Sequence, residues 1–134
     1  MKKTLLIVED DPFTQQFYSY LFSKEEFKLI QTEEGDAIFK SLEDENVSLI
    51  IMDISLKNTF YNGKKYDGLE LTRVIKNNPD YKDIPVILIS AYKKKSANVN
   101  IFEESQADDY IVKPITDFKA FLERVRDLVK SNGR

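Results

Sequence analysis

Short apolar runs alternate with longer segments of helical spacing along this chain, and this alternation restricts its fold more than any other feature. Two of the runs read LIIM and VILI, without a polar residue between the apolar ones. A strand with one solvated face alternates apolar and polar residues, whereas a strand buried on both faces is apolar throughout. We therefore predict an α/β fold in which a doubly wound parallel sheet is covered by helices on both faces.

Five strands and five helices account for the periodicity. The predicted strands lie near Thr4–Val8, Lys28–Gln31, Ser48–Met52, Pro85–Ile89 and Asp109–Val112. The first predicted helix begins with Asp11 as N-cap and Pro12 at the first helical position. The second follows Gly35, the third is capped near Asp67, and the fourth runs roughly from Ser96 to Ser105. The fifth is capped by Thr116 or Asp117. In the first helix, a stripe predicted to be core is formed by Phe13, Phe17, Tyr20 and Leu21.

Composition narrows the possible functions. The 134 residues suit one domain spanning residues 1–134. Cysteine and histidine are both absent, which excludes thiolate metal sites and removes the commonest metal ligand and general base. The net charge of −3 argues against nucleic acid as a direct partner. The first apolar run is too short for a signal peptide or a membrane span, so we expect a cytoplasmic protein with no membrane partner.

Polar side chains follow several of the predicted strands. They are Glu9 and Asp10, then Asp53, Ser90 and Lys113. In a doubly wound sheet, ligands bind outside the carboxyl ends of the strands. If the first and third strands are neighbours, three carboxylates crowd one pocket, and a divalent cation would relieve their repulsion. Oxygen ligands without histidine or cysteine suit Mg²⁺.

Such a pocket predicts phosphoryl chemistry. An aspartate beside Mg²⁺ can attack phosphorus and form an acyl phosphate, because the metal and a nearby ammonium neutralise the transferring group. Lys113 supplies the ammonium, and the Ser90 hydroxyl can hydrogen-bond another phosphoryl oxygen. Occupation of the Ser90 hydroxyl would then report whether a phosphoryl group is present.

Four ordered motifs, LLIVEDD, LIIMDISL, VILISA and ADDYIVKPI, resemble the receiver domain of two-component response regulators over nearly the whole chain. The resemblance implies a (βα)5 flavodoxin-like fold with strand order 2-1-3-4-5. It implies that Asp53 is phosphorylated, that Asp10 and Asp53 bind Mg²⁺ directly, that Glu9 binds it through water, and that the Ser55 carbonyl completes the protein ligands. It further implies that Lys113 and Ser90 contact the phosphoryl group, that Lys113-Pro114 is a cis bond, and that Tyr110 turns inward when Ser90 moves.

The resemblance also implies partners. A sensor histidine kinase or histidine phosphotransfer protein would donate the phosphoryl group, and the surface of the fourth helix, fifth strand and fifth helix would switch for a downstream protein target. The protein would be no enzyme in the ordinary sense, since it would catalyse only its own aspartyl phosphorylation and dephosphorylation. No output domain follows, so we expect a single-domain regulator, monomeric or a weak phosphorylation-dependent dimer, unless the chain is a module of a larger regulator.

The chain departs from the family pattern after Asp53. Receivers usually have a proline soon after this aspartate and a short path to the third helix, whereas Ile54–Tyr66 intervenes here. Asn62-Gly63 within this insertion is typical of a type I′ turn, so we predict a small hairpin, with a mobile insertion as the alternative. Tyr92 predicts slow autodephosphorylation, because a bulky side chain at this position would shield the phosphoryl group from water.

Three other functions share parts of this pattern. A small Mg²⁺ phosphatase acting on outside substrates would need a general acid two residues after Asp53, where Ser55 stands. A flavodoxin-like flavin protein would need a first βα turn rich in Gly, Ser and Thr, whereas EDDPFT repels phosphate. A pseudo-receiver that binds partners without accepting phosphate stays open, because it could keep the same residues.

Overall fold

The computed structural model describes residues 2–91, 95–96 and 99–131. In chain order, the elements in these residues are β1 (Lys3–Val8), α1 (Pro12–Leu21), β2 (Phe27–Thr32), α2 (Gly35–Asp44), β3 (Val47–Asp53), β4 (Phe60–Tyr61), β5 (Lys64–Lys65), α3 (Gly68–Lys76), β6 (Val86–Ser90), β7 (Lys95–Ser96), β8 (Val99–Asn100), α4 (Ile101–Ser105), β9 (Asp109–Val112) and α5 (Phe118–Ser131).

Five of these strands form one parallel sheet in the order β2-β1-β3-β6-β9. If only these five strands are numbered along the chain, their order in the sheet is 2-1-3-4-5, as predicted. The remaining described strands form two short antiparallel pairs, β4 with β5 and β7 with β8. The predicted α/β fold class is therefore confirmed, and β1 and β3 are neighbours as the site prediction required.

The sheet separates two apolar cores, because successive strand residues point to opposite faces. Leu6, Ile50 and Leu88 face α2 and α3, which contribute Ile38, Leu42, Leu71 and Ile75. Leu5, Ile51 and Ile89 face α1 and α5, which contribute Tyr18, Leu21, Phe121 and Val125. All seven residues of β3 are buried, which explains its uninterrupted apolar sequence.

The aromatic stripe predicted for α1 is wrong at two positions. Phe13 is 80% exposed and Tyr20 is 76% exposed, whereas Tyr18 is only 1% exposed. At about 100° per residue, Phe13 and Tyr20 point the same way, roughly 150° from Tyr18. The buried face of α1 is therefore centred on Tyr18 and Leu21, with Phe17 at its border.

The helix starts follow the predicted caps, with one exception. The Asp11 side chain accepts a hydrogen bond from Thr14 N at 3.1 Å, and the Asp117 side chain accepts one from Ala120 N at 3.0 Å. The predicted helix at Ser96–Ser105 is too long, because α4 begins only at Ile101 and Ser96 belongs to β7. Asn100 caps α4 by accepting a hydrogen bond from Glu103 N, which sets the helix start.

The insertion after Asp53 contains the predicted hairpin. Strands β4 and β5 are joined by Asn62 and Gly63, with φ of 52° and 76°. A type I′ turn requires positive φ at both central residues. The hairpin lies against α2, where the Tyr61 and Phe39 ring centroids are 4.2 Å apart.

No helix in the described residues has both the length and the apolar composition needed to cross a bilayer.

Candidate functional site

Three carboxylates meet at the carboxyl edge of the sheet. Glu9 and Asp10 follow β1, and Asp53 is the last residue of β3. One oxygen from each lies within 4.8 Å of the others. Glu9 is 1% exposed and Asp53 is 4% exposed, so two of the three charges are buried. The structure thus brings together the acidic residues that the sequence predicted would meet.

Backbone and side-chain contacts hold Glu9 in the pocket. Its Oε2 accepts a hydrogen bond from Asp11 N at 3.0 Å, and its carbonyl accepts one from Gln15 Nε2 at 2.6 Å. Its Oε1 is buried without a hydrogen-bond partner and faces the Lys113 ammonium at 3.6 Å. Burial raises the pKa of Glu9 to about 7, the Asp53 charge adds to the rise, and the Asp11 N–H and Lys113 oppose it.

Lys113 joins the pocket from the segment after β9. Its Nζ lies 3.1 Å from Asp53 Oδ1, which also accepts a hydrogen bond from Ser55 N at 3.2 Å. The Lys113 N–H donates to the Ser90 carbonyl at 2.7 Å, so the lysine is anchored to the end of β6. The predicted cis bond between Lys113 and Pro114 is present. One ammonium therefore faces two buried carboxylates.

Helix α3 begins against the backbone of Asp53. A Cβ added to Gly68 would lie 2.0 Å from the Asp53 carbonyl oxygen, which is closer than atoms can approach. The Gly68 N–H donates to the Ile54 carbonyl at 3.1 Å. The absence of a side chain at Gly68 thus allows α3 to start directly behind the aspartate.

The remaining predicted residues lie around the same strand ends. Ser90 is fully buried at the end of β6, one residue beyond Ile89, which is paired with Asp53 in the sheet register. Tyr110 in β9 is 3% exposed, and its ring packs against that of Phe102 with centroids 6.3 Å apart. Tyr92, which was predicted to shield the phosphoryl group, lies outside the described residues.

Two features near the pocket were not predicted from the sequence. The Tyr18 hydroxyl is buried without a hydrogen-bond partner, and burial raises the pKa of Tyr18, with smaller effects from the Glu9 and Asp53 charges. The backbone N–H of Lys57 donates to Asp10 Oδ2 at 2.9 Å. Helical spacing could have placed Tyr18 on the buried face, but a main-chain contact such as that of Lys57 leaves no signal in side-chain patterns.

The pocket suits a divalent cation that prefers oxygen ligands. It offers carboxylate oxygens, and the chain has no histidine or cysteine to add an imidazole or thiolate ligand. Oxygen ligands are the donors that Mg²⁺ prefers. Glu9 Oε1, which is buried with the Lys113 ammonium at 3.6 Å but without a hydrogen bond, is a further sign of an incomplete set of contacts, because buried carboxylate oxygens are normally hydrogen-bonded or coordinated. The residues present therefore fit the predicted Mg²⁺.

Comparison with known proteins gives consistent matches. Residues 5–126 match the family model of the response regulator receiver domain. The chain is 28% identical over 126 residues to the polar-differentiation response regulator DivK of Brucella ovis, covering 94% of this chain and 95% of DivK. It is 29% identical over 114 residues to the CAI-1 autoinducer sensor kinase/phosphatase CqsS of Vibrio cholerae, covering 84% of this chain but only 16% of CqsS.

Solved structures show the same architecture. The signal receiver domain of a signal transduction histidine kinase from Syntrophus aciditrophicus superposes with a TM-score of 0.82 at 26% identity, covering 98% of this chain and 93% of that one. The likeness therefore extends over all of the sheet and the helices around it.

Proposed function

Because this chain belongs to the family of response regulator receiver domains, we propose that it is a Mg²⁺-dependent phosphoacceptor that takes a phosphoryl group from a phosphohistidine onto Asp53. One observation carries the proposal. Asp53 is buried at the end of β3, beside two further carboxylates and 3.1 Å from the Lys113 ammonium. A nucleophile, a cation site and a charge partner thus lie together.

Four residues would hold the metal. Asp10 and Asp53 would bind Mg²⁺ through their carboxylates, Glu9 through water, and Ser55 through its backbone carbonyl. The bound ion would neutralise negative charge on the phosphoryl group during transfer. Glu9 is suited to a role through water because its Oε1 has no hydrogen-bond partner in the buried pocket.

Asp53 would perform the chemical step. One carboxylate oxygen attacks phosphorus, an O–P bond forms, and the N–P bond to the donor histidine breaks with its electron pair returning to the imidazole. Lys113 would lose its direct contact with Asp53 Oδ1 and pair with a phosphoryl oxygen instead, because that oxygen then carries the charge. Hydrolysis of the acyl phosphate by water would reset Asp53.

Ser90 and Tyr110 would carry the signal. The Ser90 hydroxyl would donate to a phosphoryl oxygen, and this contact would favour the inward position of Tyr110, which is the position in this structure, over an outward one. The surface of α4, β9 and α5 would then favour one of two arrangements, as a population shift. A downstream protein would read this surface. The histidine-containing donor, the cytoplasmic location and a monomer or weak dimer belong to the same proposal.

Intact mass spectrometry tests the acceptor chemistry. The protein is incubated with acetyl phosphate and Mg²⁺, beside Asp53→Asn and a sample with chelator. We expect one added phosphoryl group in the wild type and none in either control, because both the nucleophile and the cation are required. A phosphorylated Asp53→Asn protein would contradict Asp53 as the acceptor.

A second measurement separates the pseudo-receiver. Beryllofluoride, which mimics a phosphoryl group on aspartate, is added with Mg²⁺, and backbone amide shifts are followed by NMR. Shifts at Ser90 and Tyr110 would support the switch. If neither a mass increase nor amide shifts are observed, the protein is a protein-binding module that accepts no phosphate.

A further inference from the structure

The insertion after β3 reaches back to a residue of the acidic pocket. The backbone N–H of Lys57 donates to Asp10 Oδ2 at 2.9 Å, although the two residues are 47 positions apart. The Lys57 side chain is exposed, so its contribution at this point comes from the main chain. One oxygen of the Asp10 carboxylate is thereby held by the insertion.

The segment that carries this N–H is anchored on both sides. Leu56 is 5% exposed and packs in the core between the sheet and α2 and α3. Thr59 is fully buried, and its hydroxyl donates to the Glu33 carbonyl at 2.8 Å. The Tyr66 N–H donates to the Thr59 carbonyl at 2.9 Å and closes the base of the hairpin. Lys57 therefore has little freedom to move away from Asp10.

The hairpin beyond Thr59 is docked on α2. Tyr61 stacks on Phe39 and also contacts Tyr66, with ring centroids 4.2 and 6.1 Å apart. A Cβ added to Gly35 would lie 2.2 Å from the Phe60 carbonyl oxygen, so the hairpin backbone lies directly on the first turn of α2. The position of the Lys57 N–H thus depends on a packed aromatic contact outside the acidic pocket.

We propose that Lys57 is a positioning residue for the metal site: its backbone N–H, held by the docked hairpin, orients the Asp10 carboxylate and raises the affinity for Mg²⁺. The inference rests on the proposed function, since it takes Asp10 as a metal ligand. A carboxylate has about four acceptor positions, so one N–H bond leaves room for a cation. Hydrogen bonds of this kind fix the orientation of metal ligands, and their loss lowers metal affinity about 10- to 100-fold.

Two substitutions at one position isolate the backbone donor. Lys57→Ala removes the side chain and keeps the N–H, whereas Lys57→Pro removes both. Mg²⁺ affinity is measured by isothermal titration calorimetry, with the metal-free melting temperature as a check on folding. We expect Lys57→Ala to bind like the wild type and Lys57→Pro to bind about 10-fold more weakly.

A third variant keeps the Lys57 N–H and loosens its support. Tyr61→Ala removes the stack on Phe39, and we expect its Mg²⁺ affinity to fall between those of the wild type and Lys57→Pro. Tyr20→Ala, on an exposed tyrosine of α1, is the matched control and should bind like the wild type. If Lys57→Pro fails to fold, the comparison of Tyr61→Ala with Tyr20→Ala tests the positioning role of Lys57.

The outcomes separate the two proposals. A wild-type protein that binds no Mg²⁺ overturns the metal site of the proposed function and this inference with it. A wild-type protein that binds Mg²⁺ while Lys57→Pro and Tyr61→Ala bind equally well overturns only the positioning role. An equal loss in Lys57→Ala and Lys57→Pro also overturns it, because the side chain would then be responsible.

Discussion

Glu9 is a carboxylate that is almost fully buried, at 1% exposure. It is buried among Asp53, Asp10 and Lys113, and burial is the main reason that its pKa rises to about 7. The ordinary value for a glutamate is about 4.3. Between these two pH values Glu9 binds more protons in the folded protein than in the unfolded chain, so its contribution to folding stability falls as pH rises.

Stability against pH tests this environment. In the metal-free wild-type protein, the free energy of unfolding should decrease between about pH 4.5 and pH 7. In Glu9→Gln the free energy of unfolding should change much less over this range, because an amide does not titrate. Histidine is absent, so no imidazole titrates in the same window. Urea unfolding at several pH values measures both proteins.

Asp36→Asn, an exposed acid on α2, serves as the control and should keep the wild-type pH profile. Parallel profiles for wild type and Glu9→Gln would show that Glu9 is ionised normally. Mg²⁺ should flatten the wild-type profile, because a cation in the pocket favours the charged carboxylate.

Among the elements, the β4–β5 hairpin is distinguished by how closely it approaches α2. Gly35 meets the Phe60 carbonyl without room for a Cβ, whereas Gly63 has open space around it but a φ of +76°. The two glycines are therefore required for different reasons. The first permits packing between elements, and the second permits the turn.

Substituting each glycine with alanine separates these reasons. Gly35→Ala should destabilise the protein by about 1–3 kcal/mol, because overpacking outweighs the gain in helix propensity of about 1 kcal/mol. Gly63→Ala should cost about 1 kcal/mol from the left-handed backbone alone. Urea unfolding gives both values.

Amide shifts identify where each change acts. Gly35→Ala should shift amides across the insertion, including Lys57, whereas Gly63→Ala should shift mainly the turn. A Gly35→Ala protein as stable as the wild type, with unshifted insertion amides, would contradict the close docking of the hairpin.

At the scale of the whole molecule, the acidic pocket is assembled from three strand ends rather than from one local segment. β1, β3 and the segment after β9 each supply a charge, and none of these segments is next to another in sequence. The unfolded chain cannot present these residues together. A ligand of the pocket therefore stabilises the folded protein by mass action.

Thermal unfolding with Mg²⁺ measures this coupling. At a Mg²⁺ concentration 100 times the dissociation constant, the proposed site should stabilise the protein by about 2.7 kcal/mol, seen as a higher melting temperature. Asp10→Asn should lose most of the increase. NaCl at equal ionic strength is the control for screening of the carboxylates, and an equal effect of NaCl would contradict a specific site.

Sequence patterns were enough to predict the order of the main strands and helices and the hairpin turn at Asn62-Gly63. They also predicted the caps at Asp11 and Asp67, whose side chains accept hydrogen bonds from Thr14 N and Glu70 N. These features follow from periodicity and backbone preferences within a few residues. The sequence also identified the acids at the strand ends, because an apolar strand that ends in a charge is visible without knowing the fold. The roles of those acids stay predictions.

Four features are visible only in the folded structure: the buried side of α1, the start of α4, the environment of Glu9 and the contact from Lys57 to Asp10. Exposure of Phe13 depends on how α1 is rotated against the sheet, and several rotations fit the same helical spacing. The pKa of Glu9 depends on burial beside Asp53 and Lys113, which lie far away in sequence. Such effects arise from packing between distant segments, so local patterns do not encode them.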